Sequence, residues 1–254
     1  MRNLTIIVTL LLLSITPCLR AQKKEIAQAR SYIKSGKNLD KAEKLMADLL
    51  AADSANMLNP RIHVLLYQAV RKQYEAGNEK LYLHQQYDTA SFFSLTKRMF
   101  DICERFDSID ARPDKKGRVR PDFRSRHAEE LDLIRRNLYL GGRFFLAHNR
   151  AEDAFCFFNT YLDCARQPLF NNYHYDERDT LMAEVAYWAT YAGFREKVPE
   201  HILLYATLAR QDTARIDFTL QYISEAYHAL GDDSSYHETL LEGFRQNPAH
   251  PYFY

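Results

Sequence analysis

Glycine and proline are scarce in this 254-residue chain, eight of each, and no run of alternating β-branched residues appears. An all-β fold needs both features, whereas the abundant Leu, Ala, Glu, Lys and Tyr suit helices, so the expected class is all-α. Charge of one sign is lacking too. With 34 Lys and Arg against 33 Asp and Glu, no nucleic-acid partner is expected, nor a wholly acidic or basic one, although a local patch stays open. Catalytic signatures are absent: there is no His-Glu-x-x-His, no glycine-rich phosphate loop, no Gly-x-Ser-x-Gly and no close cysteine pair. Neither cofactor nor metal is therefore expected. The run His174, Tyr175, Asp176, Glu177 has metal-ligating types, but acids so close in sequence are expected to cap a helix beginning near Thr180. His228 and His237 fall on two predicted helices of one hairpin and could meet, yet they have no third ligand.

Long apolar runs are confined to the start. Arg2 precedes an uncharged run from Leu4 to Ile15, and Leu19-Arg20-Ala21 leads into polar Gln22-Lys23-Lys24, the pattern of an export signal over residues 1–21 cleaved after Ala21. The run is shorter than the about 20 apolar residues that span a bilayer, so no integral membrane span is expected in the mature chain. Periplasm or extracellular space is the expected destination. Cys18 offers a lipoprotein acylation site, but Pro17 stands where a small residue is wanted. The remaining Cys103, Cys156 and Cys164 are odd in number for an exported chain. Cys156 and Cys164 would lie roughly 12 Å apart on one helix, beyond disulfide reach, and all three are expected to be buried small hydrophobes.

What is present reads as helices in pairs. Over 22–111 two irregular hairpins are expected. In the first, Ile26, Ala29 and Ile33 stop at Gly36, and after Asn38 or Asp40 as cap a second stripe runs through Ala42, Leu45, Met46, Leu49 and Leu50. In the second, Pro60 opens a helix running from Val64 to Gly77, and Asp88 precedes another with Phe92, Leu95, Met99, Cys103 and Phe106. At 112–121 a basic connection follows, where Pro113, Gly117 and Pro121 forbid a continuous helix; its arginines and lysines read as a solvated loop ahead of an anion site. From 122 to 254 helical hairpins resume, the first with one long helix from near Phe123 through Leu131, Leu138 and Phe145.

Leu138, Gly142, Phe145, Ala154, Phe158 and Tyr161 sit at the offsets of the small, aromatic and alanine anchors of a tetratricopeptide repeat, which this stretch resembles. Leu220, Ile223, Tyr227, Gly231, Leu240, Gly243 and Pro248 repeat the spacing, with departures at Tyr236 and Ser224. Met182, Val185, Ala186, Ala189 and Gly193, then Ile202 to Leu208 after Pro199, form a unit between them. The resemblance implies an α-α superhelix of about five helical hairpins whose first helices line a concave groove for a peptide or partner protein. By those offsets Arg136, Tyr139 and Arg143 would face the groove, then Tyr187 and Thr190, then Gln221, Glu225 and His228. Two arginines flanking a tyrosine suit a carboxylate-bearing extended peptide. The expected function is thus a non-enzymatic binding scaffold outside the cytoplasm. The alternative is an exported all-α enzyme acting on polysaccharide or cell wall, with its acids among scattered Asp and Glu. Beyond Pro248 the aromatic tail Tyr252, Phe253, Tyr254 reads as the start of a further helix without a polar cap, an end suited to self-association.

Overall fold

A computed structural model describes residues 22–254. The expected export signal, with Cys18, lies outside the described residues. Among them every regular element is helical and there is no strand, and no helix is long and apolar enough to cross a membrane. The chain divides into two compact units at Arg124 and Ser125.

Unit 1 consists of α1 (22–35), α2 (Leu39–Ala52), the one-turn α3 (Ser54–Met57), α4 (Pro60–Tyr82) and α5 (Thr89–Asp110). Gly36 at φ 69° ends α1. Ala29 and Ile33 of α1, Ala42, Met46 and Leu49 of α2, and Ile62, Leu65, Leu66 and Ala69 of α4 form one core. Asn59 accepts a hydrogen bond from Arg61 N ahead of Pro60, and Asp88 accepts from Ala90 N and Ser91 N, so α4 and α5 start at side-chain caps. α4 does not stop at Gly77 as expected. It continues to Tyr82, and a Cβ at Gly77 would come within 2.7 Å of the Tyr87 ring; the glycine serves close packing. The basic segment after α5 is largely exposed. Asp114 accepts from Lys116 N, Arg118 N and the Arg118 guanidinium, and Arg124 pairs through two nitrogens with buried Asp107.

Unit 2 carries on through α6 (Arg124–Asp132), α7 (Arg136–Ala147), α8 (Ala151–Asp163), α9 (Tyr175–Arg178), α10 (Met182–Glu196), α11 (Pro199–Leu204), α12 (Ala206–Ala209), α13 (Ile216–Leu230) and α14 (Asp233–Gln246). Helices adjacent in sequence pair: α7 with α8, α10 with α11 and α12, α13 with α14, while α8 meets α10 and α11 meets α13. The long helix expected from Phe123 to Phe145 is broken. Between α6 and α7 the bonds tighten to i→i+3, from Ile134 N to Leu131 O and from Arg135 N to Asp132 O. The helix expected after Pro199 is likewise divided, at Tyr205, whose hydroxyl donates back to Asn159 Oδ1 at 2.8 Å.

The turn between α6 and α7 delivers Arg135 into the interior, 5% exposed. Its guanidinium lies 3.7 Å from the centres of both the Tyr161 and Tyr175 rings. Nη1 donates to Asp179 Oδ2 at 2.6 Å and Nη2 to Tyr161 O at 3.0 Å. Asp179 also accepts from Tyr161 Oη at 2.6 Å and from Leu181 N at 2.9 Å, just before α10. Burial raises the Asp179 pKa, but these hydrogen bonds and the Arg135 charge outweigh it and hold the carboxyl below its ordinary range. Asp179, not the expected Asp176 or Glu177, therefore anchors this helix start. Asp176 and Glu177 sit in one-turn α9, preceded by His174 at φ 52°, and no group of metal-ligating side chains is found among the described residues.

Two further expectations change. Cys103 and Cys164 are buried, but Cys156 is exposed, on the outer side of α8. The aromatic tail forms only a single 3-10 turn, Pro251–Phe253, and folds back on its own unit: Phe253 is buried, packed so closely on Gly243 that a Cβ there would overlap its ring, and the Tyr252 hydroxyl bonds to Ser224 Oγ and Glu225 Oε1. Burial is the main cause that pushes the Tyr252 pKa up to about 12. Leu241 and Phe244 on α14 and the terminal Tyr254 are the large apolar side chains exposed at that end.

The α7–α8 crossing depends on Gly142. A Cβ there would overlap the fully buried Phe158 ring, so the helix backbone can approach only at a residue without a side chain. Gly142→Val should lower stability by about 1–3 kcal/mol, the range of an overpacked core site. Urea unfolding monitored by circular dichroism measures it, and an unchanged midpoint would contradict the assigned packing.

Candidate partner-binding face

One face of unit 2 combines side chains from α7, α10 and the turn before α13. On α10, Glu184, Trp188, Tyr191 and Arg195 follow at i, i+4, i+7 and i+11, a spacing that puts them along one side of a helix. From α7, Arg143 lies 3.9 Å from the Trp188 ring centre, and its Nη1 donates to Tyr139 Oη at 2.9 Å. Tyr139 Oη in turn donates to Glu184 Oε1 at 2.8 Å, and the same oxygen accepts from Trp188 Nε1 at 3.3 Å. Arg215, held by Asp212 at 2.6 Å, reaches Glu184 at 3.5 Å and lies over the Tyr187 ring.

At the far end of the stripe Arg195 donates to Tyr191 Oη at 2.9 Å and to Asn149 Oδ1 at 3.0 Å. Beneath it Tyr191, Phe194, Tyr187 and Tyr222 share a ring cluster, with Phe194 stacked on Tyr222 at 4.5 Å. The result is a row of two aromatic faces, Trp188 and Tyr191, with a cation at each end, Arg143 and Arg195. Arg143 and Arg195 are both exposed and neither makes an ion pair among the described residues. Such a row can bind carboxylates through its guanidiniums and apolar or planar groups on its rings.

Burial raises the Glu184 pKa, yet hydrogen bonds from Tyr139 and Trp188 and the charges of Arg215 and Arg143 outweigh it, so the carboxyl stays ionised below its ordinary range. Tyr139 moves the other way: burial and its bond to Glu184 raise its pKa against the opposing effect of Arg143.

Of the groove residues expected from the sequence, Tyr139 and Arg143 are brought together here, and Arg136 is exposed one turn earlier on α7. Thr190 is not on the face. It is completely buried and its hydroxyl points to Ile202 O on α11, because α11 crosses α10 so closely at Gly193 that a Cβ would stand 2.7 Å from Ile202 N. Tyr187 is buried beneath the row. Both expected α10 positions are thus one residue out of register with the half-buried stripe at Trp188 and Tyr191. On α13, Gln221 is half-buried, Glu225 is exposed and accepts from the Tyr252 hydroxyl, and His228 packs on Tyr236 of α14 at 5.1 Å. His228 and His237 do not meet: the Tyr236 ring contacts both, and His237 bonds to Asp233 O.

Glu184, Trp188, Tyr191, Arg195 and Arg215 are the members of the face that the sequence does not mark. The spacing of the four on α10 is visible in sequence, but a lone tryptophan on a helix reads as packing, and Arg215 reaches the face from the turn before α13. Compared with protein-family models, with curated proteins and with solved structures, the chain matches none.

Trp188 is the single tryptophan of the chain, so intrinsic tryptophan fluorescence reports this face alone. On acidification, emission should change as Glu184 takes up a proton and its bonds to Trp188 and Tyr139 weaken. Because the folded pKa is lowered, the midpoint should fall below the ordinary glutamate value of about 4.3, with helical circular dichroism still intact, and Glu184→Gln should abolish the transition. A midpoint above that value would contradict the assigned electrostatics.

Proposed function

We propose that the protein is a non-enzymatic binding scaffold outside the cytoplasm whose partner is an acidic, extended peptide segment lying on the α7–α10 face. The observation that carries this reading is the row Arg143, Trp188, Tyr191, Arg195: two exposed guanidiniums that make no direct ion pair among the described residues, separated by two aromatic rings. Trp188 and Arg195 are seven residues apart on one helix, a rise of about 10 Å. An extended chain covers that span in about three residues at roughly 3.3 Å each. The fitting ligand therefore carries two carboxylates three residues apart, with an apolar or proline side chain between them against the rings.

Consecutive helix pairing and the buried anchors Leu138, Gly142, Phe145, Ala154, Phe158 and Tyr161 support a tetratricopeptide-like superhelix. In that arrangement α7, α10 and α13 are the first helices of their pairs, and a face built from them is where such scaffolds receive partners. The uncharged run before Gln22 supports export.

A blocked peptide with two glutamates three residues apart tests the reading by titration of Trp188 emission. Wild type should bind saturably, and affinity should fall as salt rises. Arg143→Glu should weaken binding at least tenfold, since it replaces an attractive charge by a repulsive one. Equal affinity in both proteins, or equal affinity for a lysine peptide, would overturn the proposal.

A further inference from the structure

Unit 1 contains a pocket lined by its own residues alone. It lies between the end of α2, α3, the first turns of α4 and the end of α5, with a volume of about 580 Å³. Its wall is apolar: Leu50, Met57, Leu58, Leu66 and Ile109 line it, and Met57 and Leu58 are half exposed at 51% and 50%. The size is within the range of small-molecule sites, about 300–1,000 Å³, which also combine an apolar wall with a few placed polar groups.

The polar groups are arranged on one side. Arg105, Ser108 and Ile109 share one face of α5 at i, i+3 and i+4, and Arg112, just past the helix end in the turn whose amide bonds back to Ile109 O at 3.2 Å, lines the same pocket. Arg105 and Arg112 are exposed and make no ion pair among the described residues, and no carboxylate lines the pocket. The opposite wall is neutral. His63 stacks flat on Phe106 at 5.2 Å and its Nε2 is bonded to Met57 O at 2.8 Å, which holds the α3 segment in place. Burial, as the largest cause, lowers the His63 pKa against the raising influence of that bond, so the ring adds no cation at neutral pH.

An apolar chamber with both charges on one rim distinguishes one end of its ligand from the other. We propose that this pocket binds a free fatty acid, with the alkyl chain against Leu50, Met57, Leu58 and Leu66 and the carboxylate at Arg105 and Arg112. Guanidinium and carboxylate match in fork geometry, which an ammonium or sugar head cannot reproduce. The uncompensated apolar surface at Met57 and Leu58 is then covered by the chain of the ligand.

Calorimetric titration of the full chain with sodium dodecanoate, below its micelle concentration, tests this. Binding should be saturable at one site per chain, with dodecyltrimethylammonium and dodecyl maltoside at least tenfold weaker. Arg105→Glu with Arg112→Glu should weaken dodecanoate at least tenfold without altering helical circular dichroism or the peptide titration at Trp188. Leu58→Asp, at a half-exposed position, should do the same through the wall. Equal affinity for all three head groups would overturn the assignment of the rim. Binding to phosphatidylglycerol vesicles without binding of dodecanoate would overturn the free-acid ligand in favour of a membrane surface. Binding of a leucine-terminated peptide in its place would overturn it in favour of a protein partner.

Discussion

A guanidinium taken out of water loses several kcal/mol of hydration, and unit 2 is built around recovering that loss at Arg135. Asp179 supplies the countercharge, Tyr161 O a neutral acceptor, and the faces of Tyr161 and Tyr175 cover the plane on both sides. Tyr175 is in turn oriented by its hydroxyl bond to Asp132 Oδ1 at 2.6 Å. These groups come from the α6–α7 turn, the end of α8, α9 and the approach to α10. An apolar cluster of equal size would tolerate sliding of one helix on another; a planar cation clamped by two rings and a carboxylate tolerates little, so the node fixes geometry more than it adds stability.

That fixity is transmitted to the binding face. Asp179 ties the segment before α10 to Arg135, which sets the rotation of α10 about its axis. Gly193, against the backbone of α11, fixes the same rotation from the other end. Between these two points Trp188 is turned towards Arg143 and Thr190 towards the interior. A rotation of one residue, about 100°, would bury the row and present Thr190 instead.

The hairpin pattern was legible because it depends on local spacing. Leu138, Phe145, Ala154 and Phe158 were marked by their offsets and are all buried, and Gly142 was marked as a close-approach site and is one. Starts such as Asn59–Pro60 and Asp88 were equally plain, since cap chemistry is local. The node was not legible. Arg135 and Arg136 read alike in sequence, yet one is buried and the other exposed, and the difference depends on Asp179, 44 residues away. The same distance hid the break between α6 and α7, which exists to turn Arg135 inward. Tyr161 shows both sides: its place as a helix-packing anchor could be read, while its ring face as a cation partner could not. On α10 the repeat offsets gave a face one residue out of register, because the rotation is set by tertiary contacts at Asp179 and Gly193.

The central claim is that Arg135 holds the succession of helices in unit 2. Native-state hydrogen exchange of Arg135→Met tests it most directly, because it separates local loosening from a general loss of stability. Removing one partner of a buried pair is expected to cost about 3–5 kcal/mol. The predicted result is a loss of protection concentrated in α7, the end of α8 and the first turns of α10, with α13 and α14 retaining more of theirs. Uniform protection equal to wild type, or a loss centred on α13 and α14, would contradict the account.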